Sequence, residues 1–230
     1  MRVALADDSP HLRAGLRALV SSLGAEVVAA LGRGSDLVDV VTAAPAAAPV
    51  DVALVDMRMP PTHTDEGLRT ARRIRALRPA TAVLVFTADD EAPYAAELLR
   101  GAPGGTGYVL KSTITDRERL RSALDRLVAG DVVVDAEVAR QVVTLPGAAP
   151  VLTRLDDRQR AALLLALQGR DVNGTILAGL RTALGLAGDT SAYADIDTDA
   201  GTGTGLRTGP RAGTDGFIAR ELISWLLAHG

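Results

Sequence analysis

One stretch limits what this chain can fold into more than any other: Val50 to Pro60, VDVALVDMRMP. Val52, Ala53, Leu54 and Val55 form a short apolar run, partly β-branched, and turn formers bound it. Such a run reads as a strand buried on both faces, the signature of a parallel sheet. Asp56 closes it, although aspartate is disfavoured inside a strand. Open α/β sheets bind their ligands at the carboxyl ends of their strands, so Asp56 stands where a ligand would be met.

The same arrangement recurs along the first half of the chain. Val3 to Ala6 is a strand ending in Asp7-Asp8. Ser9 and Pro10 then suit the cap and first position of a helix carrying Leu12, Leu16, Leu19, Val20 and Leu23 at helical spacing, with Gly24 as its stop. Glu26 to Leu31 reads as a second strand. Ser35 opens a helix through Leu37, Val38, Val40 and Val41, and an Ala/Pro stretch at 43–49 leads into the strand of Asp56. A third helix is expected from Glu66 to Leu77, a fourth strand from Ala82 to Phe86 ending at Thr87, and a fourth helix from Ala92 to Arg100. The fifth strand, Tyr108 to Leu110, ends at Lys111, and a fifth helix follows from Asp116 to Val128. Five β/α units of this length predict an α/β fold with a five-stranded, doubly wound parallel sheet, flavodoxin-like, with helices on both faces.

Composition narrows the setting. Hydrophobic residues make up 47% of the 230 but aromatics only 3%, so the core must be built of Ala, Val and Leu. The absence of cysteine excludes disulfides and thiolate metal sites. Acids occupy the N-terminus where a signal peptide would carry its apolar run, and no segment approaches the ~18 apolar residues of a membrane span. A soluble cytoplasmic protein is the expectation. Lysine occurs once, at Lys111.

A parallel sheet brings the carboxyl ends of its strands to one edge. Asp7, Asp8, Asp56, Thr87 and Lys111 should therefore converge. A lone acid at a strand end is more often a helix cap or turn residue than a reactive group, but three crowded carboxylates repel one another and call for a cation. Oxygen donors of this kind suit Mg²⁺, commonly held by one or two carboxylates together with water and phosphate oxygens. With that charge neutralised, Asp56 can act as nucleophile toward a phosphoryl group, while Lys111 and the Thr87 hydroxyl hold its oxygens.

On these residues the segment 1–128 resembles the receiver domain of a two-component response regulator. The acidic pair Asp7-Asp8, Asp56 in D-M-R-M-P, Thr87 followed by the small Ala88, and Lys111 in Y-V-L-K carry the resemblance. It implies phosphorylation of Asp56 by a sensor histidine kinase or a small phospho-donor, and no enzymatic activity beyond this and autodephosphorylation. It also implies Mg²⁺ bound by Asp7, Asp8, Asp56 and the backbone carbonyl of Arg58, and a switch through Thr87, Ala88 and Tyr108. The loop from Pro60 to Gly67 is longer than the family's usual Met-Pro-x-x-Asp-Gly and should alter access to Asp56. His11, His63 and His229 are scattered, and none reads as a ligand.

Beyond the receiver, Asp131 to Val143 reads as a short extended piece and a helix, so 129–150 forms an extension and linker closing in Leu145 to Pro150. Residues 151–186 resemble part of the LuxR-type helix-turn-helix of NarL-type regulators, carried by Leu155, Arg158, Arg160, Leu163, Gly169-Arg170, Asn173 and Ile176. The family's recognition helix has no counterpart, leaving a small, partly degenerate all-α region. Residues 187–216, rich in Gly, Thr and Asp, are expected to be disordered. Residues 217–230 are expected to form an amphipathic helix with Ile218, Leu222, Trp225 and Leu226 on one face. From 151 to 230 there are eight Arg and no Lys against nine acids, a net of −1, whereas a DNA-binding domain should be basic. The resemblance implies transcription control, with DNA or a second copy of the chain as partner. The charge and the missing helix favour, as the alternative, a phosphorylation-dependent protein-binding or dimerisation module.

Overall fold

The computed structural model describes residues 1–88, 92–99 and 104–144, with the single positions 158 and 161. The expectations for the linker at 145–150, the partial helix-turn-helix, the Gly/Thr/Asp-rich segment and the terminal helix lie outside the described residues.

The chain alternates strand and helix. In order it runs β1 (Arg2–Ala6), α1 (Pro10–Ser22), β2 (Glu26–Leu31), α2 (Gly34–Ala43), β3 (Val52–Asp56), α3 (Glu66–Leu77), β4 (Ala82–Thr87) and α4 (Ala92–Leu99). Then come β5 (Thr106–Leu110), a short α5 (Lys111–Thr115), α6 (Arg117–Val128), β6 (Val132–Val134) and α7 (Ala136–Thr144). The strands form one parallel sheet in the order β2-β1-β3-β4-β5-β6. The order reverses between β1 and β3, and that switch point opens the crevice in which doubly wound sheets hold ligands.

Strand alternation divides the apolar side chains between two cores. Val3, Leu5, Val52, Leu54, Leu84 and Phe86 face α1, α5 and α6, meeting Leu16, Val20, Ile114, Leu120 and Leu124. Ala4, Ala6, Ala53, Val55, Val83, Val85 and Tyr108 point the other way, onto α2, α3, α4 and α7. Small Ala and Val on the strands leave room for Leu and Ile from the helices and for Met57 and Met59 from the loop after β3, so the sheet is covered on both faces with few aromatics. The α1 boundary follows its sequence: the Ser9 hydroxyl accepts the Leu12 N–H at 3.4 Å, and Pro10 takes the first turn.

The sheet has six strands where five were expected. Three valines are too short a run to signal a strand alone, but Val132 to Val134 pair with Thr106 to Tyr108. Gly107 permits this: a Cβ there would stand 2.9 Å from the Val133 carbonyl oxygen and 2.6 Å from Leu84 Cδ1. The same pairing starts β5 at Thr106, two residues before the expected Tyr108, since Thr106 and Gly107 hide the strand from an apolar pattern.

Candidate functional site

The strand ends do converge. Asp7 follows β1, Asp56 ends β3, Thr87 ends β4 and Lys111 follows β5. Oxygens of Asp7, Asp8 and Asp56 lie within 4.8 Å of one another, the one such acidic group among the described residues. Asp7 is wholly buried and Asp56 is 2% exposed, whereas Asp8 faces the opening. Lys111 reaches in from the far side, its Nζ 3.1 Å from Asp56 Oδ1 and 3.4 Å from Asp7 Oδ2. The ammonium also lies 5.7 Å from the centroid of the Phe86 ring.

Local bonds hold these groups. The Ser9 N–H donates to Asp7 Oδ1 at 2.8 Å, and Arg13 donates to the Asp7 carbonyl at 2.7 Å. Beyond β3 the Met57 N–H donates to the Phe86 carbonyl at 2.8 Å, and the Gly67 N–H to the Met57 carbonyl at 2.9 Å. Residue 67 has to be glycine for this approach, because a Cβ would meet the Asp56 carbonyl oxygen at 2.3 Å and Met57 Cα at 2.6 Å. Met57 and Met59 are buried on either side of Arg58, which lies exposed at the bend. Thr87 and Tyr108 are buried, and Ala88 is exposed.

Electrostatics make the site short of positive charge. Burial pushes the Asp56 carboxyl up to about 6, with Asp7 and Asp8 adding to the rise and Lys111 opposing it. For Lys111, burial disfavours the ammonium, but Asp56 and Asp7 together outweigh burial and leave its pKa raised. One ammonium does not balance three close carboxylates, so the donor set fits a hard divalent cation such as Mg²⁺.

The structure adds one neighbour to the residues that sequence singled out. His63, in the long β3–α3 loop, lies with Nδ1 3.5 Å from Asp8 Oδ2. Its backbone takes a left-handed φ of 56°, and its N–H donates to the Met59 carbonyl at 2.9 Å. The loop is tied by Thr62, which lies 2.8 Å from Glu66 Oε1 and 2.7 Å from the Thr64 hydroxyl. The added loop length thus bears on the mouth of the pocket. Nothing in the sequence around His63 signals this, because the left-handed turn that aims it is a property of the folded loop.

The response regulator receiver domain model matches residues 3–125, more than half of the chain. The chain belongs to the response regulator receiver family. Among curated proteins it is 31% identical over 144 residues to the uncharacterized transcriptional regulatory protein YxjL of Bacillus subtilis, covering 63% of this chain and 62% of that protein. A LuxR-family two-component response regulator from Aurantimonas sp. SI85-9A1 is 26% identical, with a TM-score of 0.51 over 62% of this chain and 94% of that one. The RcsB response regulator of Salmonella typhimurium shares the fold at 20% identity, with a TM-score of 0.54 over 82% of this chain and 95% of that one. Receiver domains bind Mg²⁺ at an acidic pocket, and this chain has an acidic cluster in Asp7, Asp8 and Asp56. No helix among the described residues is long and apolar enough to cross a membrane.

Proposed function

We propose that the protein is a phosphorelay response regulator whose receiver is phosphorylated on Asp56. The observation that carries this reading is the buried Asp56 carboxylate, held 3.1 Å from the chain's single lysine and grouped with Asp7 and Asp8. In the transfer, an Asp56 oxygen attacks phosphorus. The bond from phosphorus to the donor nitrogen or oxygen breaks, and the leaving group departs with the electron pair, leaving an acyl phosphate. Asp7, Asp8, Asp56 and the Arg58 carbonyl would hold Mg²⁺, which supplies charge neutralisation for the phosphoryl oxygens. Lys111 keeps Asp56 ionised near neutral pH and then holds a phosphoryl oxygen, with Thr87 as a second donor. Thr87, Ala88 and Tyr108 pass the change to the α4–β5 surface. The phosphoryl source is a sensor histidine kinase or a small phospho-donor, and the chain's own Asp56 is its sole substrate, so the protein is not an enzyme in the ordinary sense.

Incubation with Mg²⁺ and a small phospho-donor tests this by intact mass. One added phosphoryl group is expected, and none for Asp56→Asn or in chelator. Labelling that persists in the Asn variant overturns the assignment.

For output, the resemblance to YxjL and to LuxR-family regulators supports transcription control. The net charge of −1 over 151–230 favours a second reading, a phosphorylation-dependent protein-binding or dimerisation module. Binding of the full chain to genomic fragments across a salt series separates them. Specific, salt-sensitive binding supports the first reading, and no binding at low salt in either phosphorylation state supports the second.

A further inference from the structure

The segment after α6 lies beyond the residues that match the family, yet it is bonded directly to the turn that carries Lys111. Asp135, between β6 and α7, makes the connection. Its N–H donates to the Tyr108 carbonyl at 3.4 Å. Its Oδ2 accepts the Leu110 N–H at 2.6 Å, and both carboxylate oxygens lie 2.8 Å from the Thr113 hydroxyl. Register explains the second bond. Pairing of β5 with β6 ends at Tyr108–Val134, so the N–H of Leu110 lies past the last backbone partner, and the Asp135 side chain continues the ladder. Leu110 and Thr113 bracket Lys111 in sequence. A carboxylate accepting from both fixes the backbone from which the lysine reaches Asp56 and Asp7. Packing makes a second link: Val138 and Ala139 of α7 share a core cluster with Tyr108 and with Ala95, Leu98 and Leu99 of α4.

We infer that Asp135 is a positioning residue for Lys111, and that through it the state of Asp56 is passed to β6, α7 and the chain beyond. The transmission half rests on the proposed phosphorylation. A phosphoryl group on Asp56 gives Lys111 a new partner. The Leu110–Thr113 turn moves with the lysine, and its bonds to Asp135 carry that movement to the residue immediately before α7.

The test uses the full chain and the variants Asp135→Ala, Thr113→Val and Thr113→Ser. Because lysine occurs once, the side-chain NMR signal of Lys111 reads its position without any phosphoryl group. It should shift in Asp135→Ala and in Thr113→Val, which keeps shape but loses the hydroxyl, and return to the wild-type position in Thr113→Ser. An unmoved signal in Thr113→Val overturns the positioning role, even if Asp135→Ala fails to fold. Hydrogen exchange over 132–144 then reads transmission, with phosphoryl content followed by mass in the same samples. A several-fold change on phosphorylation is expected in wild type and Thr113→Ser, and none in Thr113→Val phosphorylated to the same extent. Exchange that ignores a phosphoryl group shown by mass, or that responds equally in Thr113→Val, overturns the coupling. A wild-type chain that takes no phosphoryl group overturns the phosphorylation reading and its transmission, while the lysine signal still decides the positioning.

Discussion

Replacing Asp56 by Asn should stabilise the metal-free protein, although it removes the residue on which the proposed function depends. The folded carboxyl has its pKa raised from 3.8 to about 6, chiefly by burial. Below the lower value both folded and unfolded chains are protonated there, and the group costs nothing. As pH rises through this window the unfolded chain releases its proton first, so wild-type stability falls until both states are ionised. The full cost above the window is about 3 kcal/mol, from about 1.4 kcal/mol per pKa unit. Asn resembles the protonated acid and carries no such cost. Denaturant unfolding in chelator should therefore show Asp56→Asn more stable than wild type by about 1 kcal/mol near pH 4.5 and about 3 kcal/mol near pH 7.5. Mg²⁺ should narrow the gap, because a cation that binds only the folded wild-type site stabilises it by mass action. A variant no more stable than wild type at neutral pH, or a gap that does not grow with pH, would refute the view that Asp56 is held against its charge.

Other substitutions test the supports of the site. Gly67→Ala sets a Cβ against the Asp56 carbonyl oxygen and Met57 Cα; it should destabilise the fold by about 1–3 kcal/mol or more in denaturant melts, and a neutral result would contradict that close approach. Lys111→Ala should leave phosphorylation detectable by mass while abolishing the phosphorylation-dependent change in the NMR signals of Tyr108; a retained change would remove Lys111 from the switch. Ile74→Ala opens a cavity in the fully buried α3 face and should cost about 2–5 kcal/mol with little effect on Mg²⁺ binding followed by calorimetry. A weakened Mg²⁺ affinity there would show the site depends on α3 packing.

The fold was legible because its signals are local. Val3–Ala6, Val52–Val55 and Val83–Phe86 are continuous apolar runs of a length that buried strands require, and polar residues stand directly at their ends. That placement also makes the convergence of Asp7, Asp8, Asp56, Thr87 and Lys111 readable from sequence, since a parallel sheet turns shared position along each strand into proximity. What stayed hidden depends on tertiary partners. β6 is three valines that become a strand only because Gly107 lets the Val133 carbonyl approach β5. Asp135 carries no signal of its own in the sequence, because its carboxylate bonds residues 22 and 25 positions upstream. His63 meets Asp8 through a left-handed turn that composition does not announce.

The most direct test of the central claim is to locate the phosphoryl group chemically. Borohydride reduction of the freshly phosphorylated chain converts an acyl phosphate to an alcohol, and peptide mass mapping then identifies the residue. The proposed function requires the reduced position to be Asp56 alone, dependent on Mg²⁺, with Asp7 and Asp8 unmodified. Reduction at either of those acids, or modification elsewhere with Asp56 intact, would contradict it.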